Sequence, residues 1–311
     1  MMQQTALAQA VFAFAQATHG LGDADLERDY TWRYHDEGLR FALIGTYHEL
    51  RDLAATTAAE RAAYGHPITI AQRVLAQYHL AYRDLQAILL GVDGTLAGWA
   101  PAPGEWPIWI ALWHMIEVEQ NFFPRCRYAV DQMHAGAELQ VMSDEEKWAL
   151  LAEEPDTDPA RLRKIIYGDT VRTAADEAAA PEPTALQGSF ADLLAYYDTL
   201  HSSIIRDLAT LSDAETLAPS RWWEDQPIPV RYRLHRFDAH LRQHTIQVEK
   251  TLAMLGQVPA EAKRLLRLVY AALAAAEGTA LGGPFSDSPG WHTLADTIQA
   301  RTKQIGGILG Q

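Results

Sequence analysis

Between Val230 and Leu255 the apolar residues Val230, Leu234, Phe237, Leu241, Val248, Leu252 and Leu255 recur in steps of four and three, and the one gap is filled by a histidine, His244. This period gathers the apolar side chains on one stripe of an amphipathic helix and commits the segment to a packed partner. It also sets His244 on the buried seam. His240, four residues earlier, flanks the seam on the same side, since side chains four apart on a helix lie about 5–6 Å from each other at Cβ. A buried imidazole needs partners for both ring nitrogens. A metal ion is one such partner and a backbone carbonyl is another.

Almost every periodic stretch has this helical spacing, and no run of alternating β-branched residues stands out. The periodicity predicts a helix over about 4–17. After Gly20 and Gly22, Asp23 or Asp25 can cap a long second helix that runs to about Ala63 and stops at Gly65-His66-Pro67. Four core helices are expected over about 68–91, 106–133, 188–211 and 228–256. The second begins Ile108-Trp109-Ile110-Ala111-Leu112-Trp113, apolar all round and so buried all round. Pro124 inside it should kink it and free the carbonyl of Gln120. Between the second and third core helices, residues 134–187 are charged and alanine-rich. They read as a surface excursion with short helices near 143–152 and 158–178, followed by Pro181-Glu182-Pro183. Helices near 259–277 and 291–305 close the chain. The expected organisation is an N-terminal helical extension (1–66), a bundle (67–256, with the insertion at 134–187) and a C-terminal helical extension (257–311).

The 311 residues carry 26 lysines and arginines against 40 aspartates and glutamates, a net charge of −14, with no cluster of basic residues. That balance disfavours nucleic acid and acidic membranes as partners. No apolar run approaches the length of a membrane span and the first residues lack a basic leader, so neither membrane nor export is expected. The single cysteine, Cys126, allows no internal disulfide and fits a reducing cytoplasm. It lies in a helical pattern and reads as a small core residue.

His114 follows a tryptophan-led helix start, Gly104-Glu105-Trp106-Pro107-Ile108-Trp109-Ile110-Ala111-Leu112-Trp113-His114, and the later segment is His240-Leu241-Arg242-Gln243-His244-Thr245-Ile246-Gln247. Together they resemble the DinB-like superfamily, the damage-inducible DinB and thiol S-transferase families. A tryptophan and a few apolar residues before the first histidine, and a glutamine soon after the last, are features of that family. The resemblance covers roughly 68–256. It implies an all-α fold, a DinB-like four-helix bundle with additional N-terminal, inserted and C-terminal helices. It further implies that His114, His240 and His244 hold a divalent metal ion. Zinc, nickel and iron(II) all suit imidazole, so the ligands do not choose among them. The implied activity is that of a transferase in which a small thiol, or water, is activated at a three-histidine site and attacks an electrophilic substrate. The partners are then a small-molecule thiol and its electrophile. Homodimers are common among helical bundles of this kind, which carries over by analogy alone.

Other readings stay open at this level. Each histidine has a structural alternative, and the fold would equally serve a non-catalytic scaffold or stress-response binding protein. Iron(II) sulfoxide synthases of ergothioneine type carry His-x3-His-x-Glu, but Ile246 stands where the glutamate would be, and the chain after 256 is too short for their second domain. No His-Glu-x-x-His is present, which disfavours a zinc protease. Glu117, one turn after His114, is a supporting acceptor, a fourth ligand or a solvated residue of the helix face. Glu119 falls on an apolar seam and needs a partner if buried. His235 lies about 140° around the helix from His240 and reads as surface. His79 and His201 have structural roles as the leading alternative to lining a pocket, and so do Tyr78, Tyr82, Tyr196 and Tyr197.

Overall fold

The computed structural model describes residues 5–153, 157–169 and 186–310. In chain order its helices begin with α1 (Ala6–Thr18), α2 (Asp23–Leu26), α3 (Arg40–Ala63), α4 (Ile70–Ile88) and α5 (Gly94–Gly98). There follow α6 (Ile108–Ala135), α7 (Asp144–Ala152), α8 (Pro159–Tyr167) and α9 (Phe190–Leu208). The last are α10 (Val230–Met254), α11 (Glu261–Ala280) and α12 (Pro289–Leu309). Two short antiparallel ladders accompany them, β1 (Thr31–Trp32) with β2 (His35–Asp36) and β3 (Pro219–Ser220) with β4 (Ile228–Pro229). The fold is all-α, a helical bundle with extra helices, and among the described residues no helix is long and apolar enough to cross a membrane.

The chain divides into two compact units, one of Val92–Gln257 and one of the segments before and after it. In the first, α6 packs against α10 and α9, α7 lies on α6, and α8 on α9. The opening of α6 is buried on every side, from Ile108 through Leu112. On α10 the stripe Val230, Leu234, Phe237, Leu241 and Val248 is fully buried and Leu252 nearly so. The helix starts are written in capping residues. Ser143 with Glu146 and Ser189 with Asp192 form reciprocal capping boxes on α7 and α9, and Asp158 caps α8 with Pro159 in its first turn.

The described part of residues 134–187 is more than a surface excursion. Leu151, Leu162, Ile165 and Ile166 are buried, Lys147 Nζ donates to Asn121 Oδ1 on α6 (3.0 Å), and Tyr196 Oη donates to the Thr157 carbonyl (2.7 Å). Their charged composition hid a narrow apolar face. The helix expected over 158–178 forms as α8; its residues from 170 onward, like Pro181-Glu182-Pro183, lie outside the described residues.

In the other unit α3 and α4 pack on α11, and α1 packs on α12. The long second helix expected up to Ala63 is interrupted: α2 is short, and the hairpin β1–β2 precedes α3. Thr31, Trp32 and Tyr34 favour extended backbone. Gly38 has φ +77°, and a Cβ there would lie 2.6 Å from the Leu26 carbonyl oxygen, so the chain turns at the one residue that tolerates the approach. Helix α4 forms where expected. It is buried around most of its circumference, on the stripe Val74, Tyr78, Ala81 and Leu85 and also at Leu75, His79 and Tyr82. The contacts place α4 in the unit of α3 and α11, so the unit boundary falls at 91/92, whereas the sequence suggested 66/67.

This unit buries charge in a closed network. Glu277 accepts from Arg83 Nε (2.8 Å), Arg83 Nη2 (2.7 Å) and His79 Nε2 (2.7 Å). Burial pushes its carboxyl up, but Arg83 and His79 outweigh that and hold it at about 2. Arg301 likewise joins Glu49, Thr46 and Tyr30.

Candidate metal centre

Helices α6 and α10 run antiparallel: His114 meets His244 and His240 near the start of α6, and further along α6 Phe122 meets Phe237. The pairing follows from sequence. The apolar opening of α6 is drawn into the core, which fixes the rotation of the helix and turns His114 toward the seam position of His244.

The three imidazoles form a tight cluster. Ring centres are 5.1 Å apart for His114–His240, 4.7 Å for His114–His244 and 4.4 Å for His240–His244, each pair tilted or edge-on. One nitrogen from each ring lies within 4.8 Å of the others, and Nε2 of His114 faces Nε2 of His240 at 3.3 Å. His244 is buried, and the other two are partly exposed. Trp106 stands edge-on to His114 at 5.4 Å, and Phe122 stands edge-on to His240 at 6.2 Å.

The donor set fits a divalent ion. Two nitrogens bound tetrahedrally at about 2.0–2.1 Å from zinc are about 3.3–3.4 Å apart, which is the His114–His240 separation. Two neutral imidazoles meeting through Nε2 can share only one proton between two lone pairs, whereas a cation engages both. His244 is prepared in the same way. Gln247 Oε1 lies 2.8 Å from its Nδ1, so Nδ1 carries the proton and Nε2 is left as a donor to metal. His240 Nδ1 is buried and has no partner among the described residues. Burial, then the neighbouring His244, His114 and Arg236, press His240 down to about 3; burial and His244 also hold His114 below the usual histidine value. Both rings are therefore neutral, with lone pairs available, at physiological pH.

Glu117 Oε2 lies 4.0 Å from His114 Nδ1. Burial raises its carboxyl above the ordinary range, against the pull of Lys147, although 45% of the side chain meets solvent. It can thus exchange a proton with water beside the cluster. The fold brings His114, His240 and His244 together; His235 is exposed and points elsewhere on α10, as its angle implied. Glu119 is buried and accepts from Tyr197 Oη at 2.8 Å, which meets the demand its seam position created. His79 serves the Glu277 network, and Cys126 is fully buried, its thiol pushed up to about 12 by desolvation. Sequence reading passed over the pairing of Phe122 with Trp222, which stack at 4.8 Å beside the histidines; a lone phenylalanine on a helix gives no signal of such a role.

A family model described as the DinB superfamily matches residues 77–248, more than half of the chain and inclusive of all three histidines. No curated protein and no solved structure matches the chain.

Proposed function

The chain belongs to the DinB superfamily, and from that premise we propose that His114, His240 and His244 bind one divalent metal ion and that the protein is a metal-dependent transferase acting on a small thiol, or a hydrolase acting through water. The observation that carries this reading is the 3.3 Å approach of His114 Nε2 to His240 Nε2, within a set of three ring nitrogens no more than 4.8 Å apart. Three imidazoles leave a coordination position open, as catalytic rather than structural sites do. When bound there, such an ion lowers the pKa of a thiol or water and supplies a nucleophile at neutral pH.

The chain's own residues supply the rest. Gln247 fixes the tautomer and ring plane of His244 by accepting from Nδ1. Trp106 and Phe122 give His114 and His240 each an edge-on aromatic neighbour, which helps hold the rings in place. Glu117, with its raised carboxyl close to His114, takes up the proton that the nucleophile gives up and returns it to the leaving group.

Elemental analysis of purified protein offered zinc, nickel or iron(II) tests the metal site. One equivalent bound by the wild type and none by His240→Ala is the expected result; failure of all three to bind stoichiometrically sinks the reading. Transfer chemistry is tested separately, with cysteine as the thiol and monochlorobimane as the electrophile. Turnover that needs the metal supports a transferase, whereas metal binding without turnover of this pair or of a simple ester leaves a non-catalytic binding protein.

A further inference from the structure

Helix α5 packs on α6 and α9. Among them lies a cavity of about 780 Å³, lined by Trp99 at the end of α5, Trp109 near the start of α6, and Phe190 and Leu194 of α9. Trp109 and Phe190 are 3% and 6% exposed, whereas Trp99 is 56% exposed. Small-molecule sites have volumes of roughly 300–1,000 Å³ and mostly apolar, aromatic linings. All the lining residues belong to the unit Val92–Gln257, and the three histidines are not among them.

Trp109 carries the polar demand of this lining. Its indole N–H donates to no described residue. The indole N–H of Trp222 is also without a partner and is sealed from solvent; that of Trp109 is not sealed, although only 3% of the residue is exposed. The opening it has is therefore the cavity that its ring lines. Among the described residues that line this cavity there is no lysine, arginine or histidine, and Asp93 is the one ionisable side chain. Asp93 caps α5 by accepting from the Leu96 N–H at 2.8 Å. Ser189 and Phe190 bring the start of α9, whose attraction for anions is offset by Asp192 in its first turn. An anion there meets carboxylates with no cation to pair with, and a cation leaves the indole N–H unmet. An uncharged acceptor satisfies it.

We propose that this cavity binds an uncharged, flat aromatic molecule that bears a carbonyl group. The ring of the ligand lies against Trp99 and the apolar lining, and its carbonyl oxygen accepts from Trp109 Nε1. Covering the exposed Trp99 ring supplies the apolar part of the affinity, and the indole N–H fixes the orientation. The site is separate from the histidine cluster, and its occupation does not need a metal ion.

The test is a calorimetric titration of the metal-free full-length protein with coumarin, a flat uncharged lactone. Naphthoate and naphthylmethylammonium serve as charged molecules of similar size. Coumarin is expected to bind the wild type saturably, and both charged molecules more weakly. Trp109→Phe keeps a flat ring and removes the N–H, and should weaken coumarin about fivefold. Trp99→Ala changes an exposed residue, so it folds even where Trp109→Phe does not, and should weaken coumarin by a similar factor. Absence of saturable coumarin binding by the wild type, unchanged coumarin affinity in either folded variant, or a charged molecule binding as tightly as coumarin each overturns the proposal. A wild type that binds coumarin but no metal overturns the metal-site reading and leaves this one standing.

Discussion

Two places in this protein bury histidines among charged neighbours, and they are resolved in opposite ways. Around Glu277 every strong donor has an acceptor: Arg83 presents its fork, His79 adds a third bond, and the carboxylate is held ionised at about 2. Around His240 no such closure is made, and the Glu117 carboxyl stays 4.0 Å from His114 Nδ1. Three imidazoles face one another, and His240 Nδ1 is buried with no partner among the described residues. The first arrangement stabilises the fold by completing itself. The second is incomplete in a way that a cation would complete. Burial and titratable residues are common to both, so neither identifies a functional site; unmet valence does.

If the two regions differ in this way, substitutions in them should have opposite consequences. His240→Ala should abolish stoichiometric metal binding, seen as loss of the bound ion after dialysis, while leaving the thermal midpoint of the metal-free protein little changed. His79→Ala should do the reverse, keeping the ion and lowering the midpoint. Removal of the carboxylate in Glu277→Ala leaves Arg83 buried and uncompensated, which should cost about 3–5 kcal/mol in denaturant unfolding with no effect on metal content. A Glu277→Ala protein that lost the ion would show the two regions to be coupled. Smaller in effect, Gln247→Leu should retain the metal site but weaken it by about 10–100-fold, because the imidazole of His244 loses the acceptor that sets its tautomer.

The pH dependences of the two regions separate by window. His240 is held far below the ordinary histidine value, so between about 6.5 and about 3 the unfolded chain binds a proton that the folded metal-free protein does not. Stability from this ring is complete above about 6.5 and is lost as pH falls toward 3; His240→Asn should flatten that part of the profile. Glu277 is held at about 2, so its contribution is complete above about 4.5 and is lost only as pH falls from there toward 2. In urea titrations from pH 7 to 3, His240→Asn should depart from wild type below about 6.5, whereas Glu277→Gln, already less stable at pH 7, should close on wild type as pH falls below about 4.5.

Much of the candidate site was legible because it is written in periodicity. His244 is conspicuous as the single polar member of an apolar series, and His240 follows from it by one turn. His114 needed the family resemblance, since a histidine after an apolar helix start says little alone. The Glu277 network was illegible, since His79 and Glu277 are separated by 198 residues and no local pattern joins them. In the fold, helix positions followed from stripes and caps. The hairpin at Thr31–Asp36 did not, because a short ladder offers too few residues to show a period.

His114 and His240 are 126 residues apart in the chain, and the excursion at 134–187 lies entirely between them. An ion joining them would act as a topological staple across a large ring, reached without any cysteine. The entropy of closing such a ring grows only with the logarithm of its length, so deleting the excursion would alter the closure term by only about 0.5 kcal/mol. The closure term is thus nearly blind to the length of the segment it encloses, and what ties the described residues of that segment to the bundle is their own packing, at Leu151, Leu162, Ile165 and Ile166.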